Sequence, residues 1–157
     1  MKVKNLKKLR KEIEKGIRNA LKKEVFETVK YTELVNIDKE VYEVYPTPKR
    51  YERRYEKKGL GDEGNIVYDV KKIKEGTLSV ENVTEFNERY KTMNSGEGLV
   101  DLIEKGQKRS KYQYDYPRYP YAKARPFITR TREELMKSKR HVEALKEGLK
   151  RNGFKVK

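Results

Sequence analysis

Residues 107–125 hold the densest set of side chains able to engage a partner. Tyr112, Tyr114, Tyr116, Tyr119 and Tyr121 are interleaved with Lys108, Arg109, Lys111, Arg118, Lys123 and Arg125, and almost no aliphatic residue accompanies them. Lysine and arginine neutralise phosphates, and tyrosine rings stack on unpaired bases. Tyr and Arg are also enriched at the energetic centres of protein–protein interfaces. Composition alone does not choose between these two chemistries. A stretch without aliphatics cannot build its own core, so it reads as a long loop or arm that a partner completes.

Other chemistry-bearing groups are weaker. His141 is the single histidine, and cysteine is absent. A metal centre draws on a cluster of ligands, so a structural histidine is expected and no metal site is assigned. Glu133/Glu134 and Asp62/Glu63 are carboxylate pairs, but acid–base work would require burial to shift them. Helix capping explains the first pair and a turn the second. The run Gly59-Leu60-Gly61-Asp62-Glu63-Gly64 has G-x-G-x-x-G spacing without the preceding buried strand and following helix of a dinucleotide site, so it reads as a flexible turn. No nucleophile, base and orienting group come together. The expectation is a non-enzyme without cofactors.

Composition sets the frame for these residues. The chain has 157 residues, 40 Lys and Arg against 25 Asp and Glu, a net charge of +15, and only 34% hydrophobic residues. This length favours a single domain, residues 1–157, with 107–125 as an arm within it. The apolar fraction lies below the usual ~45–50%, so the core is lean. The positive charge favours nucleic acid, an anionic surface or an acidic protein. No apolar run approaches the ~20 residues of a membrane span, and no signal-peptide core follows the basic N-terminus, so no membrane partner is expected.

Several elements must position the arm. Leu6, Leu9, Ile13, Ile17, Ala20 and Leu21 recur at helical spacing, extended by Val25, Phe26 and Val29, and predict a helix from about Val3 to about Thr32. Glu40 to Tyr45 is β-branched and aromatic and reads as a strand ended by Pro46 and Pro48. Asn65–Lys74, with Ile66, Tyr68 and Val70 on one face, and Thr77–Val83, with Leu78 and Val80, predict an antiparallel hairpin tipped near Glu75-Gly76. Leu99–Gly106 is a short apolar segment, helix or strand. Thr131-Arg132-Glu133-Glu134 matches a capping box, and Leu135, Val142, Leu145 and Leu149 continue it as a helix stopped at Asn152-Gly153. The architecture is α+β: a small antiparallel β-sheet with N-terminal and C-terminal amphipathic helices packed on it, an extended hairpin and a long Tyr-rich arm.

The order of several pieces carries a resemblance. An amphipathic N-terminal helix leads into Val41-Tyr42-Glu43-Val44-Tyr45-Pro46. Tyr51-Glu52-Arg53-Arg54, Gly59-Leu60 and Asn65-Ile66 follow. Leu102-Ile103-Glu104-Lys105-Gly106 comes later, and Ala124-Arg125-Pro126-Phe127-Ile128 precedes a C-terminal helix. From about Ile13 to about Leu149 the chain resembles the small tail-completion and head–tail connector (neck) proteins of long-tailed bacteriophages and related prophage particles. The most specific piece is Ala-Arg-Pro-Phe-Ile, where Pro126 disfavours helical geometry at Arg125 and Phe127 supplies an apolar anchor.

The resemblance implies a structural virion protein, made in the host bacterial cytoplasm. It implies a ring, typically hexameric, at the neck or head-proximal end of the tail, acting as tail terminator or connector. Its partners would be further copies of itself, other neck or tail proteins, and passing DNA met through non-specific phosphate contacts. On that basis Ile66, Tyr68, Val70, Leu78, Val80 and the five arm tyrosines are candidate subunit contacts. Arg125, Pro126 and Phe127 would dock the arm on the body, and Lys108, Arg109, Lys111 and Arg118 would face DNA. The Tyr-rich insert is longer and more basic than the family pattern, which leaves the identity of the ring open. The alternative is a free nucleic-acid-binding protein using the basic arm.

Overall fold

A helical backbone opens the chain and continues further than its apolar periodicity predicts. In the computed structural model, which describes residues 3–44, 59–84, 98–106 and 123–156, helix α1 (Val3–Ala20) passes into a π-helical turn, Leu21–Val25. Helix α2 (Phe26–Ile37) follows, and then a second π-helical turn, Asp38–Tyr42. The strand expected over Glu40–Tyr45 is therefore corrected across its described residues. Ile37 and Val41 are both buried and four apart, so they share one helical face, and burial on that face outweighs the local β-propensity.

The expected hairpin is present in shortened form. Strands β1 (Ile66–Tyr68) and β2 (Val80–Asn82) pair antiparallel, flanked by Asp69 N–H to Ser79 C=O at 2.9 Å and Val83 N–H to Asn65 C=O at 2.6 Å. Between them Asp69 caps helix α3 (Val70–Lys74), accepting from the Lys71 and Lys72 amides at 2.7 and 3.4 Å. That cap ends the first strand at Tyr68, six residues earlier than the alternation predicts, and Val70 becomes the first residue of a helix. Gly76, at a φ of 78°, makes the turn out of α3.

Helix α4 (Leu99–Lys105) resolves the helix-or-strand alternative, and Gly106, at a φ of 72°, closes it with its N–H on Leu102 C=O. Helices α5 (Phe127–Ser138) and α6 (Arg140–Arg151) replace the single C-terminal helix. Lys139 separates them in the left-handed region, at a φ of 57°. The capping box at Thr131 is also corrected. Helix α5 begins four residues earlier, and the Thr131 hydroxyl donates back to Phe127 C=O at 2.7 Å. The architecture is α+β, with a two-stranded antiparallel sheet and helices towards both ends of the chain.

The described residues divide between two compact units. The first takes residues 1–31, 68–81 and 135–157. Leu21, Val25 and Ala144 form its core, with Ile17, Val29, Leu78 and Leu145 packed around them. α6 runs antiparallel to α1: Gly148 lies on Ala20, Arg151 pairs with Glu24, and the Phe154 ring seats on Gly16. A Schellman turn delivers that ring. Phe154 N–H donates to Leu149 C=O at 3.1 Å and Gly153 N–H to Lys150 C=O at 2.9 Å, with Gly153 at a φ of 86°. The second unit takes residues 32–67 and 82–134. Its apolar core holds Ile37, Val41, Leu60, Ile66, Val100, Leu102, Ile103 and Phe127.

Candidate functional site

The second unit buries a group of polar side chains. Thr32, Glu33 and Asn36 come from one turn of α2, Asn82 and Thr84 from β2 and the residues after it, and Arg125 and Thr131 from the approach to and the second turn of α5. Buried polar groups must find partners, because leaving one unpaired costs about 1–3 kcal/mol. Asn36 Nδ2 donates to Thr32 C=O at 2.9 Å and to Glu134 Oε2 at 3.2 Å, which ties α2 to α5. Asn82 Nδ2 donates to Leu60 C=O at 3.0 Å, which ties β2 to the Gly59–Gly64 turn. Hydrogen bonds brace that turn. Asp62 accepts from Gly64 N–H at 2.9 Å, and Asn65 Nδ2 reaches Gly59 C=O at 2.7 Å.

Glu104, on the last turn of α4, closes the exposed side of this arrangement. Its carboxylate accepts from the Ile128 and Thr129 amides at 2.9 Å each and from the Thr129 hydroxyl at 2.6 Å. It thereby supplies the N-terminal cap of α5 from another helix, where a negative charge also meets the positive end of the helix dipole. Arg130 in turn approaches Glu40 and Glu133.

Glu33 is the electrostatic centre. Only 7% of it is exposed. Burial is the main cause that lifts its carboxyl from the ordinary 4.5 to about 7. A hydrogen bond from the Asn82 side chain opposes the rise, and the Glu104 carboxylate adds to it. Below pH 4.5 the carboxyl is protonated in both folded and unfolded states, and its neutral form fits the core without penalty. Above that value the unfolded chain ionises first. Stability therefore falls as the pH rises from about 4.5 through about 7, by up to about 3 kcal/mol. Glu33→Gln keeps the shape without the charge. Urea titrations from pH 4 to 8 are expected to show a flatter profile for Glu33→Gln and a more stable variant at pH 8. Parallel profiles for wild type and variant would show that Glu33 does not titrate in the core.

The resemblance-derived anchor lies at the heart of this unit. Phe127 is fully buried, Arg125 is buried and Pro126 half-buried. Arg125 N–H donates to Ile103 C=O at 2.8 Å and Phe127 N–H to Arg125 C=O at 2.8 Å. This fixes the start of α5 against α4. Tyr112, Tyr114, Tyr116, Tyr119, Tyr121, Lys108, Arg109, Lys111 and Arg118 lie outside the described residues.

The hairpin residues are drawn largely into their own units. Ile66 is buried. Tyr68 packs edge-on against Phe26, ring centroids 4.9 Å apart, beneath the Lys22 ammonium at 5.9 Å. Leu78 joins the core of the first unit, Val80 is half-buried, and Val70 alone stands in solvent.

Sequence reasoning passed over Glu33, Asn36 and Asn82, placed Glu134 in a local capping box and met Glu104 only as part of a short apolar segment, whereas the structure bonds Glu134 to Asn36 and sets Glu104 on the start of α5. For the first three the one signal is Thr32-Glu33 and Asn36 sharing a helical face with Ile37, a polar interruption inside an apolar stripe. Among the described residues no group of three or more His, Asp or Glu side chains is placed to hold a metal, and His141 stands half-buried on α6. No described helix is long and apolar enough to cross a membrane. The arrangement performs positioning: it holds α2, β2, α4 and the start of α5 together around Arg125 and Phe127.

No curated protein and no solved structure is significantly similar to the chain. The model of one family, YomN, matches residues 5–151, which takes in both units and the segment joining α4 to α5. With nearly its whole length matched, the chain belongs to the YomN family, which is phage-derived.

Proposed function

We propose that the protein is a non-enzymatic structural component of a phage or phage-like particle. In this reading it forms a ring, hexameric by the resemblance, at the neck or the head-proximal end of the tail. The observation that carries the reading is membership of a phage-derived family over residues 5–151. The anchor at Arg125, Pro126 and Phe127 supports it in physical terms. An arm that reaches a neighbouring subunit transmits force only if its root is fixed, and here the root is bonded to α4 and seated in the core. Excess lysine and arginine suit a subunit that lines a DNA path without reading sequence.

The net charge of +15 equally favours a free nucleic-acid-binding protein. The two readings part on location. Gold-labelled antibody against the protein is expected to mark purified particles at the junction of head and tail. Label confined to the unassembled fraction, with binding to DNA whose log affinity falls linearly with log salt, would favour the free binder.

A further inference from the structure

Helix α1 outlasts the helix that covers it. α6 runs antiparallel along α1 and the π-helical turn after it, from Val25 back to Gly16, where Phe154 seats and the packing ends. Residues 6–15 continue beyond that point, exposed at every position. Ten further residues extend the helix by about 15 Å at 1.5 Å per residue.

The apolar stripe does not stop where the packing stops. Leu6, Leu9 and Ile13 are 50%, 42% and 40% exposed, and they fall on the same helical face as Ile17, Ala20 and Leu21, which are half-buried or buried. Single exposed apolar residues are ordinary, but a stripe collinear with a used interface is the mark of an interface left half-filled. Residues 6–15 also carry five Lys or Arg against two Glu, a net of +3 on a chain of net +15.

We infer that the free half of α1 is a docking helix for another protein, one that offers an apolar groove rimmed by Asp and Glu. Charge complementarity selects this occupant. A second copy of the helix would bring +3 against +3, and like charges across an interface oppose association. An anionic bilayer would attract the lysines. However, the stripe is three side chains wide in length and lacks the aromatic residues that seat interfacial helices, and Glu12 and Glu14 oppose the surface. DNA would use the lysines and leave the leucines without a role. A wrapped, acidic groove uses both faces, in the mode by which amphipathic helices enter grooves at i, i+3 and i+7 positions.

Calcium-loaded calmodulin supplies such a groove as a defined probe. Titrated calorimetrically with the full chain, it is expected to form a one-to-one complex. Leu6→Ser/Leu9→Ser/Ile13→Ser is expected to weaken that complex by at least about tenfold, and Lys7→Glu/Lys8→Glu/Lys11→Glu to weaken it similarly. All six positions are exposed, so the melting temperature of both variants should match wild type. Absence of a complex, or equal binding by the triple-serine variant, would overturn the inference. Stripe-dependent binding to mixed phosphatidylcholine and phosphatidylglycerol vesicles without binding to calmodulin would replace it with a membrane surface. Stripe-dependent self-association in sedimentation would replace it with a second copy, and stripe-independent binding to a short DNA duplex alone would replace it with nucleic acid.

Discussion

Phe127→Ala is expected to destabilise the second unit by about 3–5 kcal/mol, the range for removing a fully buried aromatic side chain from a packed core. Phe127 has no exposed surface. It opens α5, its carbonyl accepts the Thr131 hydroxyl, and its amide is bonded to Arg125 C=O. Removing the ring empties the core at the point where three constraints meet: the Pro126 geometry, the Glu104 cap and the start of the helix. Phe127→Leu refills part of the volume and should recover part of the loss. Urea denaturation followed by far-ultraviolet circular dichroism reads both variants. A wild-type midpoint for Phe127→Ala would mean that the ring does not hold the unit together, and the account of the arm's anchor would fall with it.

Gly148→Ala sets two effects of opposite sign against each other. Alanine in place of glycine inside a helix favours the helix by about 1 kcal/mol. A Cβ at Gly148 would lie 2.6 Å from the Ala20 Cβ, 2.6 Å from Glu24 Oε2 and 2.9 Å from the Ala20 Cα. The last of these is backbone, which cannot swing aside as a side chain can. Overpacking of this kind costs about 1–3 kcal/mol, so packing should win and the variant should lose about 1–2 kcal/mol net. Ala20→Gly in the same chain removes the Cβ part of the clash, and the pair is expected to be more stable than the sum of the two single changes. A gain in stability from Gly148→Ala alone would show that α1 and α6 do not approach as closely as described.

The two glycines show what pattern reading can and cannot see. Gly16 in an amphipathic helix reads as a weak point, because glycine costs backbone entropy. In three dimensions it is the seat of Phe154, and Gly148 is the seat of Ala20. Neither role is local, so neither leaves a local trace. The helical stripe Ile17, Leu21, Val25 and Val29 was legible because its period is 3.6 and the partner helix needs only a face. Asn152-Gly153 was legible as a stop because a left-handed residue after a helix requires glycine or its like.

The strand expected at Glu40–Tyr45 failed for a tertiary reason. Local propensity favours extended backbone for its β-branched residues, while Val41 and Ile37 are both buried on one helical face. The start of α5 at Phe127 was missed because its cap, Glu104, comes from a different helix, whereas the capping box at Thr131 is a purely local pattern. Of the candidate site, Arg125, Pro126 and Phe127 were legible through the resemblance. Glu33, Asn82 and Glu104 converge from separate segments, and nothing in their spacing announces it.

Quantitative mass spectrometry of purified particles, induced from the source cells and counted against a major capsid protein, tests the virion reading most directly. That reading predicts a low, fixed copy number per particle, equal to one ring and constant across preparations. Absence of the protein from particles, while it remains abundant in the lysate, would contradict it.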